Sequence, residues 1–247
     1  MTEKEDRYYI DKIEKTVGRA INRYSLIAGD DRVVVGLSGG KDSLVLLETL
    51  AARRRRLPVT YSLFAVYVDF TNIDYIADQD YMRKFCEDLD VRFQHVETEL
   101  DLSRESGKSI CFLCSWHRRK ILFNFAEEMQ CGKLALGHHM DDALETLVMN
   151  MMYNGTMSSL PPSLSMFEGR LDVIRPMILL EKTEIDRYAE IRGFPSEIKK
   201  CPYVDENSRA GVKRIIEQMS SEDRRIKKNL FKSMSNIHNE YLPPEEK

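Results

Sequence analysis

Apolar residues recur at Ile10, Ile13, Val17, Ala20, Ile21, Tyr24 and Ile27, the spacing of one helical face, and predict a helix over 5–28. A β-branched run, Arg32-Val-Val-Val-Gly-Leu37, then reads as a short buried strand. After a glycine-containing loop, a stretch rich in Leu and Ala predicts a helix over 44–55. The alternation continues, with strands over 62–68, 91–96, 134–136 and 173–174 and helices over 74–89, 116–129, 141–152 and 181–192. Short buried strands alternating with helices predict a doubly wound α/β fold around a mainly parallel, five-stranded sheet. No strand pattern returns beyond Pro195, which divides the chain into an N-terminal helical segment (1–30), an α/β domain (31–195) and a helical tail (196–247). One long loop is expected over 154–170, where Gly155, Pro161, Pro162 and Gly169 gather.

The chain has 247 residues, 43% hydrophobic and 31% charged, which allows a sizeable core and excludes the disordered and fibrous classes. No apolar run approaches the ~20 residues of a membrane helix. The start, Met1-Thr-Glu-Lys-Glu-Asp-Arg7, has acids where a signal peptide has basic residues and an apolar stretch, so a cytoplasmic protein away from membranes is expected. Lys and Arg number 37 against 40 Asp and Glu, a net charge of −3, too balanced to announce nucleic-acid binding from bulk charge, so any RNA partner would have to be held by local patches. Five cysteines, an odd number, argue against a disulfide framework and toward core, metal or redox use.

Ser38-Gly39-Gly40-Lys41-Asp42-Ser43 lies between a strand and a helix, where open α/β sheets collect ligands. Two glycines allow consecutive N–H groups to turn inward, and the helix N-terminus adds partial positive charge. Lys41 adds a full charge, and Ser38 and Ser43 add hydroxyls. A plain glycine turn with a serine cap is the alternative, but the complete hexapeptide points to nucleotide phosphate. Asp42 stands where a Walker A loop has Ser or Thr, and a carboxylate beside phosphates calls for a cation such as Mg²⁺ between them. Leu136-Gly-His-His-Met-Asp-Asp142 ends a later strand and opens a helix. There Gly137 allows close approach, His138 is placed to donate to phosphate, and Asp141 or Asp142 to join Asp42 around Mg²⁺. Asp141 reads equally as a helix N-cap, and His139 as a packed or exposed histidine.

The hexapeptide resembles the loop of the N-type ATP pyrophosphatases, the PP-loop superfamily. That resemblance implies an adenine-nucleotide α-hydrolase-like fold, cleavage of ATP between its α and β phosphates, and Lys41 and Asp42 as catalytic residues. It also places part of the adenosine pocket at Val66-Tyr67-Val68-Asp69, with Val68 among the ATP-binding residues.

Cys111-Phe-Leu-Cys114 precedes the helix expected from Trp116, and two thiols at this spacing are able to converge on one ion. Cys201 lies in a loop, whereas Cys86 and Cys131 sit among apolar neighbours and read as core. The hexapeptide, this pair, the 136–142 segment, Pro161-Pro162, Ile174-Arg175-Pro176 and Cys201 follow one another in the order of the tRNA 2-thiocytidine synthetase family, which the chain resembles from about Val33 to Lys232. The resemblance implies a [4Fe–4S] cluster on Cys111, Cys114 and Cys201, ATP and Mg²⁺ at the loop, and thiolation of a cytidine, position 32, in the tRNA anticodon loop. It further implies tRNA and a sulfur donor (a cysteine desulfurase or sulfide) as partners, and it allows a homodimer. Close members often carry another cysteine where this chain has Val204. Two other functions account for part of the pattern. A sulfur-free adenylating ligase of the lysidine-forming kind explains the loop but leaves the cysteines idle. A structural zinc protein would use Cys111, Cys114, His117 and Cys201.

Basic residues cluster in three places. Arg53-Arg-Arg-Arg56 closes a helix, where cations complement the dipole. Over 207–234 eight basic residues face three acids, and Arg224, Arg225, Lys227 and Lys228 form the densest group. Arg118-Arg119-Lys120 adjoins the cysteine pair. Arg118, Arg119, Arg224, Arg225, Lys227 and Lys228 are the candidate RNA contacts, with a solvated helix face as the alternative.

Overall fold

The computed structural model describes residues 2–75, 77–101, 109–195 and 208–243. Cys201 and the segment around it lie outside the described residues. In chain order the main elements are α1 (Glu3–Arg23), β1 (Arg32–Leu37), α2 (Lys41–Arg56), β2 (Ser62–Phe70), α3 (Gln79–Asp88), β3 (Arg92–Thr98), α4 (Ile110–Glu128) and β4 (Lys133–Ala135). They continue with α5 (Met140–Met149), β5 (Ser163–Met166), β6 (Leu171–Ile174), α6 (Lys182–Arg192), α7 (Ser208–Glu222) and α8 (Ile226–Ser233). The chain forms two compact units.

The first unit comprises Met1–His139 and Pro161–Asp205. Its sheet runs β3-β2-β1-β4-β6-β5, parallel throughout except for the antiparallel β5–β6 pair. Alternation along the strands builds a core on each face. Val33, Val35 and Leu37 of β1 and Leu63, Ala65 and Tyr67 of β2 join Ile13 and Val17 of α1, Leu44 and Leu47 of α2 and Ile185 of α6. Val34 of β1 and Phe64, Val66 and Val68 of β2 face the other way, onto Leu122 and Ala126 of α4. Strand order reverses at β1 and β4, so the crevice at their carboxyl ends is the ligand position of an open α/β sheet.

Two sequence expectations are corrected. The sheet has six strands rather than five, because β5 arises inside the stretch expected to be loop. Ser-Leu-Ser-Met is short and its strand lies on the edge, mostly exposed, so its hydrophobic signal is faint. The helix expected from Trp116 begins at Ile110, six residues earlier, capped by Ser109, whose hydroxyl accepts from the Phe112 N–H. Ile110, Leu113 and Cys114 supply the inward contacts of its first turns.

A polar tie sets how α6 lies on α2. Glu48 of α2 is 5% exposed and accepts from Tyr188 OH at 3.0 Å and from the Arg192 guanidinium, both on α6. A buried carboxylate is tolerable only with such partners. The four arginines that close α2 are likewise occupied. Arg53 bonds Asn22, Arg54 and Arg55 donate to carbonyls at the end of α3, and Arg56 pairs with Glu14.

The second unit comprises Met140–Leu160 and Glu206–Lys247. Its core is Met140 and Leu144 of α5 with Val212 and Ile216 of α7, joined by Leu230 and Phe231 of α8. After Met149 the helix widens into a π-turn over Asn150–Asn154 and stops at Gly155, whose φ is +61°. Among the described residues of the tail, 208–243, Ser208–Glu222 and Ile226–Ser233 are helical, as its sequence predicts.

Candidate active site

The 38–43 loop connects β1 to α2 and is held by its own hydroxyls. Ser43 Oγ accepts from the Ser38 N–H at 3.1 Å and donates to the Gly40 carbonyl at 2.8 Å, while Ser38 Oγ accepts from the Gly40 N–H. From outside, Tyr75 donates its hydroxyl to the Ser38 carbonyl at 2.7 Å. Gly39 has φ +80°, and a Cβ there would lie 2.5 Å from the Cβ of Ala77. No side chain fits, so the glycine is a steric requirement. Across the crevice a Cβ on Gly137 would lie 3.3 Å from the Asp42 carbonyl carbon, which puts the turn after β4 against the start of α2. Lys41 and Asp42 open α2, where backbone N–H groups lack intrahelical acceptors and the dipole is positive. The result is a donor-rich turn at the positive end of a helix, chemistry suited to phosphate oxygens.

Asp42 does not stand alone. Lys182, the first residue of α6, donates to Asp42 Oδ1 at 2.5 Å and lies 3.2 Å from Asp186. Burial works against the Lys182 ammonium, but the hydrogen bond and charge of Asp42, together with Asp186, outweigh it and raise its pKa above the ordinary lysine value. A half-exposed carboxylate that already holds a cation has the oxygen donors Mg²⁺ requires.

Cys111 and Cys114 lie one turn apart at the start of α4, on one face and half-buried, with Cys114 against the second core. The positive end of the helix favours anionic ligands such as thiolates. Two such thiols suit two corners of a cluster, and the third candidate ligand, Cys201, lies outside the described residues. Burial pushes the Cys86 thiol up to about 12 and raises that of Cys131, in keeping with two core cysteines.

A PP-loop domain family matches residues 10–210. The tRNA-cytidine(32) 2-sulfurtransferase of Syntrophotalea carbinolica is 35% identical over 242 residues, covering 96% of this chain and 93% of the relative. That of Geobacter sulfurreducens is 35% identical over 242 residues, covering 94% and 91%. The chain belongs to the PP-loop tRNA-cytidine(32) 2-sulfurtransferase family. Among solved structures, the U34-tRNA thiolase NcsA from Methanococcus maripaludis with its [4Fe-4S] cluster superposes with a TM-score of 0.76 at 24% identity, covering 98% of this chain and 82% of that one. It shares the fold.

Within this PP-loop family member the remaining candidate residues are placed as follows. Val68 is buried, its side chain in the second core, and His138 is half-buried beside Gly137. His139 is buried. Asp141 and Asp142 belong to the second unit, inside the first turn of α5. Asp141 is therefore a helical residue and not the cap, and its carboxylate accepts from Lys227 at 2.6 Å with both side chains 13% exposed. That bond commits the Lys227 charge to docking α8 on α5. Arg225 forks onto Asp223, and Arg224 and Lys228 are exposed on the same stretch. Arg118 stacks its guanidinium over Phe70, 5.6 Å from the ring centroid, and the exposed Arg119 bonds Ser115 of its own helix.

Near the end of β2, His95 stands between Asp69 and Glu97, 3.6 and 3.8 Å away, so the imidazole separates two carboxylates that are paired across neighbouring strands. Tyr75, Ala77 and Lys182 are missing from the sequence-based site. Lys182 left one weak signal: a lysine opening a helix sits at the positive end of the dipole, where an anion is favourable, although Glu181 and Glu184 of the same turn already supply negative charge.

Proposed function

We propose that this protein is an ATP-dependent tRNA sulfurtransferase that exchanges the C2 oxygen of the cytidine at position 32 of the anticodon loop for sulfur, giving 2-thiocytidine. One observation carries this reading. The 35% identity to named tRNA-cytidine(32) 2-sulfurtransferases runs over 96% of the chain, so it spans the loop, the cysteine pair and Cys201 together.

The chain's own groups fit the chemistry. The 38–43 loop and Lys41 bind the phosphates of ATP, with Gly137 and His138 beside them and Val68 near the adenosine. Asp42 would hold Mg²⁺, a charge shield between the carboxylate and the phosphates. The pyrimidine C2 oxygen attacks the α phosphorus and pyrophosphate leaves. Hydrosulfide then adds at C2, and the oxygen departs as AMP. A [4Fe–4S] cluster would be held by Cys111, Cys114 and Cys201 and would supply an iron without a protein thiolate, chemistry suited to sulfide-level sulfur. Arg118, Arg119, Arg224, Arg225 and Lys228 grip tRNA phosphates, which position RNA without reading its bases.

Mass spectrometry of tRNA nucleosides from cells with and without the gene tests the reading. Loss of 2-thiocytidine on deletion, with other thionucleosides unchanged, is the expected result. Unchanged 2-thiocytidine refutes the substrate. Anaerobically purified protein should be brown, whereas a colourless protein containing zinc supports the structural-metal alternative.

A further inference from the structure

Lys182 stands out because, beyond the capping carboxylates Glu181 and Glu184 of its own helix start, its ammonium reaches across to an anion on another helix. It is the first residue of α6, where the helix dipole disfavours a cation, and it is only about one-third exposed. The anion is Asp42, 140 residues earlier in the chain, at 2.5 Å. The meeting is built into the fold, since Glu48 holds Tyr188 and Arg192 further along the same two helices. A second anion is within reach: Asp186, one turn along α6, lies 3.2 Å from the same ammonium. The ammonium therefore bridges two carboxylates at once, one on the 38–43 loop and one on its own helix.

We propose that Lys182 is the resident counter-cation of Asp42, exchanged for the divalent ion when the nucleotide binds. This rests on reading 38–43 as the nucleotide loop. Without nucleotide the ammonium neutralises Asp42 and keeps free divalent ions off it. When the metal arrives with ATP, two cations compete for one carboxylate. The ammonium gives up Asp42 and keeps Asp186, which it already touches, without the helix backbone moving, and the metal takes the vacated place on Asp42. Coupling metal entry to nucleotide entry in this way stops the loop from collecting Mg²⁺ on its own.

The test uses the full chain and Mn²⁺ as the probe, with free Mn²⁺ followed by electron paramagnetic resonance. In the absence of nucleotide, Lys182→Met should bind Mn²⁺ about tenfold or more tightly than wild type, the scale of one charged hydrogen bond. The added Asp42→Asn change should abolish that gain, and Lys182→Arg should behave as wild type. ATP affinity should split in opposite directions: with EDTA present, Lys182→Met binds ATP about tenfold more weakly, because Asp42 then faces the phosphates unneutralised. With saturating Mn²⁺ it binds as well as wild type or better. A lysine that only supports the fold would shift both affinities the same way, which overturns the proposal, as does Mn²⁺ binding equal to wild type. Should Lys182→Met fail to fold, Asp186→Asn carries the test. It removes the second carboxylate and should raise the Mn²⁺ concentration needed with ATP, and an unchanged requirement counts against the exchange. Wild-type protein that binds no ATP refutes the loop reading and this inference with it; ATP binding by wild type, with Lys182→Met matching it both in EDTA and in nucleotide-free Mn²⁺ affinity, refutes the exchange alone.

Discussion

Replacing Gly39 with alanine separates two costs that the fold imposes on the loop. The first is conformational: φ is +80°, in the left-handed region, where an L side chain costs about 1–2 kcal/mol. The second is steric, because the new methyl would sit 2.5 Å from the Cβ of Ala77. Ala77 is buried in the first core and cannot retreat freely, so relief requires a backbone shift costing about 1–3 kcal/mol. Together the change should destabilise the protein by about 2–5 kcal/mol, a fall in Tm of roughly 5–15 °C for a chain of this size. Because the shift moves the N–H groups proposed to face phosphate, Mg·ATP binding should weaken by about tenfold or more. Calorimetric unfolding and isothermal titration with Mg·ATP measure the two effects. Ala77→Gly removes the steric partner only. In the Gly39→Ala background it should recover the steric share and leave the conformational one, a coupling of about 1–3 kcal/mol in a double-mutant cycle. If Gly39→Ala loses less than about 0.5 kcal/mol and binds ATP normally, or if Ala77→Gly rescues nothing, the close approach at 39 is not what shapes the loop.

Lys41→Ala and Asp42→Ala should each lower ATP–pyrophosphate exchange by about 10²–10³ with circular dichroism unchanged, and full exchange in either variant removes that residue from the chemistry. Cluster-free protein at pH 8 should be alkylated by iodoacetamide at Cys111 and Cys114, while Cys86 and Cys131 react only on unfolding; early labelling of Cys86 on a peptide map contradicts its burial. The Cys86 thiol is raised from 9.0 to about 12, so its contribution to stability is complete below about pH 9 and is lost as pH climbs through 12. Cys86→Ala should correspondingly flatten the alkaline limb of the stability curve. Reversing the charges of Arg224, Arg225 and Lys228 should reduce the salt slope of tRNA binding by roughly three units, one per lost phosphate contact, and leave ATP binding intact. An unchanged slope assigns this stretch to solvent.

Local pattern was enough for the parallel core of the fold. Val33 to Leu37 alternate between two apolar faces, and a β-branched run buried on both sides leaves few choices besides a central strand. The 38–43 turn was legible as a donor-rich loop for a similar reason: two glycines and a helix N-terminus announce inward backbone N–H groups, although Tyr75 and Ala77, which brace the loop from outside, are not announced by it. The edge strand β5 was not legible, because a mostly exposed edge strand buries little and carries only a faint hydrophobic signal. The start of α4 was missed for another reason. Its first turn is fixed by a serine cap and by Ile110 and Leu113 finding the second core, and an apolar stretch without polar alternation does not announce where a helix begins.

What tertiary structure alone decided is which charges meet. Composition shows 37 basic and 40 acidic residues but not their pairing. Lys182 reaches Asp42 only because α6 docks on α2, and Lys227 reaches Asp141, 86 residues away, only because α8 docks on α5. Lys227 looked in sequence like one more member of a basic patch. Hydrophobic periodicity reports that a helix has a buried face, whereas an ion pair depends on where along and around that helix its neighbour comes to rest. That position is set by side-chain packing across the whole interface, and no short stretch of sequence contains it.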